Sequence, residues 1–176
     1  MFDGKKDVFV EYMIKRKPSL RSRLIQLSVW PAVVCLTILS MLFPETAFLA
    51  FIVLVGGCYG AWHVFIRQNV EFEYILTNGE LDVDRITAQR SRKRLLTVDC
   101  RVFEILAPCR SKYDKEMNAQ NIDRRVDASS SPKSESRWFA IFPGKESKRT
   151  ILFFEPNQRI LDSLRPILPP TKFKKQ

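Results

Sequence analysis

Histidine is nearly absent. His63 is the single one in 176 residues, which excludes His-rich metal sites and leaves no imidazole partner for a serine or cysteine elsewhere in the chain. Glycine is scarce as well: the six present form no phosphate-cradling loop. The four cysteines, Cys35, Cys58, Cys100 and Cys109, make neither a C-x-x-C pair nor a zinc-knuckle spacing, and the chain is no secreted disulfide scaffold. The scarcity that matters most is charge between Leu24 and Ile66, where 43 residues carry only Glu45. The other 133 residues hold 47 of the 48 acidic and basic side chains. Segregation on that scale excludes a simple soluble domain and a disordered chain.

What fills the uncharged stretch is apolar. Leu24–Phe43 and Ala47–Ile66 are each twenty residues long, separated by Pro44, Glu45 and Thr46. As α-helices, both are long enough to span a hydrocarbon core about 30 Å thick. The competing reading, a hairpin buried in a soluble protein, fails because roughly 110 further residues cannot wrap two such helices on all sides. The length of the first run and the lack of an A-x-A-like site after it argue for a retained anchor over a cleaved signal peptide. Seven basic residues precede Leu24, Arg67 follows the second run and the turn holds no Lys or Arg, so the positive-inside rule predicts that both termini are cytoplasmic. Trp30 and Trp62 suit interfacial aromatic belts.

Gly56 and Gly60 form a Gly-x-x-x-Gly pair, and Ser28, Ala32 and Cys35 give a comparable small stripe on the first helix. Packing within the hairpin and self-association both use such residues. His63 has no carboxylate within a helical turn and reads as a neutral interfacial residue.

The sequence divides into a basic cytoplasmic arm (1–23), a transmembrane hairpin (24–67, with spans 24–43 and 47–66), a cytoplasmic domain (68–168) and a basic tail (169–176). In the arm, DVFVEYMIKRK places Phe9, Tyr12 and Met13 on one helical face, with Lys15, Arg16 and Lys17 beyond them. That pattern predicts either an amphipathic helix along anionic lipid or a plain topogenic flank. From Gln68 the period becomes alternating. Val70, Phe72, Tyr74 and Leu76 share one face, Asn78-Gly79 marks a tight hairpin, and Leu81 and Val83 alternate with Asp82 and Asp84, read as a solvated acidic face. Leu95–Ala107 predicts one long or two short strands. Residues 138–142 and 150–154 predict a second hairpin through Pro143-Gly144. Pro156 is read as opening a short helix containing Ile160, Leu161 and Leu164. Between them, residues 110–136 show no period and few apolar side chains (Tyr113, Met117, Ile122 and Val126), predicting a mobile, dispensable insertion.

Six or seven antiparallel strands closed by one helix is the order of a pleckstrin-homology-like barrel. The stretches EFEYILTNGELDVDRI, RKRLLTVD, RWFAIFPG and ILFFEPNQRILDSL resemble bacterial pleckstrin-homology-like domains. The whole chain resembles uncharacterised small bacterial membrane proteins that combine a basic arm, a two-helix hairpin and that domain. The resemblance implies an α+β membrane protein with a transmembrane α-helical hairpin, an antiparallel β-barrel and a C-terminal helix, and it brings no catalytic residue with it. Many eukaryotic pleckstrin-homology domains bind inositol phosphates through basic residues in the loop joining the first two strands. Here Thr77-Asn78-Gly79-Glu80 has none, which argues against that mode.

Net charge is +4 over residues 1–23, −1 over 24–66 and +7 beyond, giving +10 in all. Anionic lipid headgroups are the expected partner, met by Lys15, Arg16, Lys17, Arg90, Arg92, Lys93 and Arg94. Basic residues interleaved with acids, and no recognised motif, argue against nucleic acid. No cofactor, metal or catalysis is expected. The function predicted is a non-enzymatic adaptor whose hairpin presents a binding domain at the inner leaflet, with a protein partner or a second copy open as ligand. The alternative is an accessory or regulatory subunit of a transport or envelope-stress complex, contacting partners through its helices.

Overall fold

The computed structural model describes residues 8–144 and 148–174. The chain forms two compact units, one helical (17–70 with 87–90) and one of strands (up to 16, 71–86 and from 91 on).

In the helical unit, α1 spans Leu20–Met41 and α2 spans Leu49–Arg67, joined through a 3-10 turn at Pro44–Thr46. The first helix starts four residues before the uncharged run because the Ser19 side chain caps it, accepting from the Ser22 backbone N–H at 3.1 Å. Both helices are long and apolar enough to cross a membrane, and only 11% of each apolar window is buried. The buried part is a narrow seam holding Val33 and Thr37 on α1 and Ala50 and Ala61 on α2. Thr37 satisfies its hydroxyl within its own helix by donating to the Val33 carbonyl at 2.9 Å. At the open end of the hairpin, Gln26 Nε2 donates to Gln68 Oε1 at 2.8 Å, and Ser22 Oγ donates to the same oxygen.

The glycines of this seam are not the expected ones. A Cβ on Gly57 would stand 2.8 and 2.9 Å from the two γ-carbons of Val33, whereas one on Gly56 or Gly60 would have nothing within 4 Å. Each residue turns 100° around a helix, so a pair one position earlier faces elsewhere. Gly57 and Ala61, four apart, make the close approach; Ser28, Ala32 and Cys35 are likewise exposed.

In the strand unit, β1 (Phe9–Lys15), β2 (Val70–Thr77), β3 (Glu80–Thr87) and β4 (Ser91–Asp99) form one sheet in that order. The arm is therefore strand, not amphipathic helix. FVEYMIK satisfies a period of two as well as a helical face, and β2 offers a free edge, to which β1 pairs antiparallel from Phe9↔Thr77 to Lys15↔Glu71. Asn78 (φ 51°) and Gly79 (φ 94°) make the two-residue turn that their sequence predicted. Asn78 also holds the start of β1: its Oδ1 accepts from the Val8 N–H at 3.0 Å, and its own N–H donates to the Val8 carbonyl at 2.9 Å.

The second sheet contains β5 (Ile105–Pro108), β6 (Arg124–Asp127), β7 (Trp138–Pro143) and β8 (Arg149–Phe154), in the order β5-β7-β8-β6. Because β6 pairs with β8 in parallel, the expected single antiparallel meander is corrected to two four-stranded sheets. A 3-10 turn at Ser111–Tyr113 and the single-turn helix α3 (Asp114–Met117) precede β6. The last helix, α4 (Gln158–Leu164), is capped by Asn157, which accepts from the Ile160 N–H at 2.9 Å; Pro156 lies just outside it. The tail is not free either, since the Leu106 N–H donates to the Lys172 carbonyl and the Lys174 N–H to the Leu106 carbonyl, seating Phe173 on Trp138.

Every core residue expected from the alternation is buried: Phe72, Tyr74, Leu81, Val83, Trp138, Ala140, Phe142, Leu152, Phe154, Ile160 and Leu164. The intervening positions of β7 and β8 are apolar too, and Phe139, Ile141, Ile151 and Phe153 form a second cluster. A sheet apolar on both faces needs a second cover. Residues 110–136 supply it: the Tyr113 ring lies 6.2 Å from that of Phe139, with Met117 and Ile122 packed on the same cluster. The expected mobile, dispensable insertion is therefore an integral layer.

Two substitutions check these assignments. Tyr113→Ala should cost about 3 kcal/mol in chemical unfolding of the full chain in mild detergent, as a core aromatic does and a loop residue does not. Gly57→Val should weaken the association of α1 with α2 by about 1–3 kcal/mol through overpacking, while Gly56→Ala leaves it unchanged, as read by steric-trap unfolding.

Candidate functional site

Seven carboxylates lie on the first sheet, and three of them are withdrawn from water: Glu71 is 7% exposed, Glu73 3% and Asp84 2%. The expectation of a solvated acidic face therefore fails for Asp84, while Asp82 is half-buried and paired with Arg94. A buried carboxylate needs a cation or several donors. Lys15 Nζ stands 3.3 Å from Glu71, Arg92 touches Glu73 and lies 3.3 Å from Asp84, and Arg94 reaches Asp84 at 2.8 Å and Asp82 at 2.9 Å. The hydrogen bond that Arg94 donates to the Asp84 carboxylate raises the pKa of Arg94 above its ordinary value.

The seven basic residues singled out in the sequence thus do not form one patch. Arg92 and Arg94 come together on Asp84, and Lys15 serves Glu71. Lys93 is exposed, with no ion pair among the described residues. Lys17 and Arg90 belong to the helical unit. Gly56 and Gly60 lie on an open face of α2.

Arg16 has different company. It lines a groove of about 260 Å³ with Arg85, Arg124 and Arg125, floored by Phe72, Leu95 and Val126. Arg124 Nη2 donates to the Leu95 carbonyl at 3.2 Å, which fixes one wall. The acid in the lining, Asp127, is already engaged: it accepts from Arg137 Nη2 at 2.9 Å and from the Ser129 N–H and hydroxyl at 3.0 and 2.6 Å. Sequence reasoning missed Arg85, Arg124 and Arg125, because Arg124 and Arg125 sit in the segment read as a loop and nothing local joins them to residue 16 or 85. A larger groove of about 560 Å³ has an apolar floor including Leu168 and Phe173 and a rim of Lys112, Arg165 and Lys174.

A buried polar node ties β2 to the segments that follow β6 and β8. Tyr74 Oη donates to the Ala128 carbonyl at 2.6 Å and accepts from the Glu155 N–H at 3.2 Å. One oxygen of the Glu155 carboxylate accepts from both the N–H and the hydroxyl of Ser130, each at 2.8 Å. Burial raises the pKa of Tyr74. Burial likewise pushes the Cys100 thiol up to about 12 and that of Cys109 up to about 11. Among the described residues, no three or more His, Cys, Asp or Glu side chains gather as a metal site requires.

Raised thiol and phenol values make stability depend on alkaline pH. Cys100 keeps its proton in the fold up to about 12 but loses it near 9 when unfolded. Its contribution is complete below pH 9 and falls as pH rises toward 12, by up to about 1.4 kcal/mol per pH unit. Urea unfolding of the full chain at stepped pH should show stability declining above pH 9, with a shallower slope in Cys100→Ala.

A family model described as Bacterial PH-like domain (DUF6106) matches residues 6–174. No curated protein and no solved structure shows a significant match.

Proposed function

The chain belongs to the bacterial PH-like domain family, and from that premise we propose that it is a membrane-anchored, non-enzymatic binding module, held at the inner leaflet by α1 and α2. The observation that carries the reading is the exposure of two membrane-length apolar helices placed in the chain between β1 and β2. Lipid is the medium in which such surfaces are satisfied without further protein. The β1–β2 ladder constrains the topology independently of charge. Strands that pair with each other stand on one side of any membrane, so the chain must cross twice or not at all. Seven basic residues before the first uncharged run at Leu24 and none in the turn favour the cytoplasmic side for both ends. The strand unit, with its grooves, then acts as an adaptor surface beside anionic headgroups, open to a protein partner.

One observation favours a second reading, an accessory subunit that meets a transport or envelope complex within the bilayer. The Gly56–Gly60 face of α2 has nothing within 4 Å of either glycine's added Cβ. Affinity purification in mild detergent separates the two: partners lost on Gly56→Leu and Gly60→Leu support the subunit, and partners retained there but lost on changing the strand unit support the adaptor.

Topology is the direct check. In a cysteine-free background, Glu45→Cys should react with a membrane-impermeant maleimide in intact bacterial cells. Lys133→Cys should react only after permeabilisation, and labelling of Lys133→Cys in intact cells overturns the reading.

A further inference from the structure

We propose that the groove of Arg16, Arg85, Arg124 and Arg125 is a phosphate-binding site, filled by the phosphate of an anionic lipid headgroup or by a free phosphate ion. The proposal names the ligand of the binding module and rests on that reading. Its basis is a contrast in how the strand unit treats its arginines. Arg92, Arg94, Arg101, Arg137, Arg149 and Arg165 each lie within ion-pair distance of a carboxylate. Arg16, Arg85, Arg124 and Arg125 have no such partner among the described residues, yet they converge on one cavity. Arg110 and Arg159 are also unpaired but take no part in that lining.

Four arginines lining one groove concentrate like charge, and the one acid in the lining is engaged by Arg137 and Ser129. An anion bound there would balance that charge. Phosphate suits it best, because planar arginine forks bind its oxygens in pairs, and the apolar floor of Phe72, Leu95 and Val126 strengthens each charge-assisted bond. At about 260 Å³ the groove falls below the roughly 300–1,000 Å³ of sites that enclose a whole small molecule, so it fits a headgroup or ion rather than a larger ligand body.

Its place in the sheet is equally informative. Arg16 directly follows β1, Phe72 lies near the start of β2 and Arg85 near the end of β3. All three mark the end of the sheet opposite the Asn78-Gly79 turn. At that same end the chain departs for α1 and returns from α2.

The test uses the full chain in maltoside micelles, which carry no phosphate, with inorganic phosphate titrated calorimetrically against chloride at constant ionic strength. Saturable binding is expected. The Arg85→Gln, Arg125→Gln double variant should weaken it about tenfold or more; both side chains are exposed and unpaired, so the fold is retained. Arg125→Lys, which keeps the charge and loses the fork, should weaken it about threefold, while Lys93→Gln outside the groove leaves it unchanged. Phosphatidic acid added to the micelles distinguishes the sources: lost uptake of free phosphate identifies a lipid headgroup as occupant, and retained uptake identifies a soluble one. Phosphate binding no tighter than chloride, or a double variant that binds like the unaltered chain, overturns the proposal. The anchoring reading is scored separately by cysteine labelling, so the two fail independently.

Discussion

The ladder between β1 and β2 is the interaction on which the rest of the molecule depends. Seven consecutive residue pairs, from Phe9↔Thr77 to Lys15↔Glu71, hold together two stretches of chain separated by the whole helical excursion. Closing a longer loop adds entropy cost only logarithmically, so inserting two helices there adds little beyond what the ladder already offsets. The consequence is a domain joined to its hairpin by two covalent connections rather than one. The same register sets Lys15 beside Glu71 and brings Arg16 to the groove.

Charge in the strand unit is used in two ways. Buried acids on the first sheet demand cations, and Lys15, Arg92 and Arg94 meet that demand across neighbouring strands. Removing one partner of such a pair strands the other in low dielectric, which is far costlier than losing an exposed ion pair. These cations are therefore poorly placed to serve an external ligand. What remains for recognition is the half of the strand unit's arginines without acids, and net charge alone gives no hint of which they are.

Local signals were legible and distant ones were not. The apolar runs, the Asn78-Gly79 turn, the inward face of β2 and β3 and the last helix were all readable because each is written within a few consecutive residues. The strand β1 was not, because FVEYMIK fits two periods and its partner lies some sixty residues away. The segment 110–136 looked dispensable by its own composition. Its role was recorded instead in β7 and β8, whose runs WFAIF and TILFF are apolar on both faces and so call for two covers. Gly56 and Gly60 match a packing motif, but helix phase gave the contact to Gly57. The arginine groove draws on four separate segments of the chain and had no local signature at all.

The position of β1 also orders events during synthesis. The ribosome releases β1 before either helix, yet its partner emerges only after both helices have followed. Until then β1 has no edge to join, and the remaining strands have not been made. Assembly of the sheets must therefore wait until the apolar hairpin has cleared the exit tunnel, so the hairpin emerges before the sheets close. Since every other strand follows α2 in the chain, the domain closes only on a chain whose helices are already out.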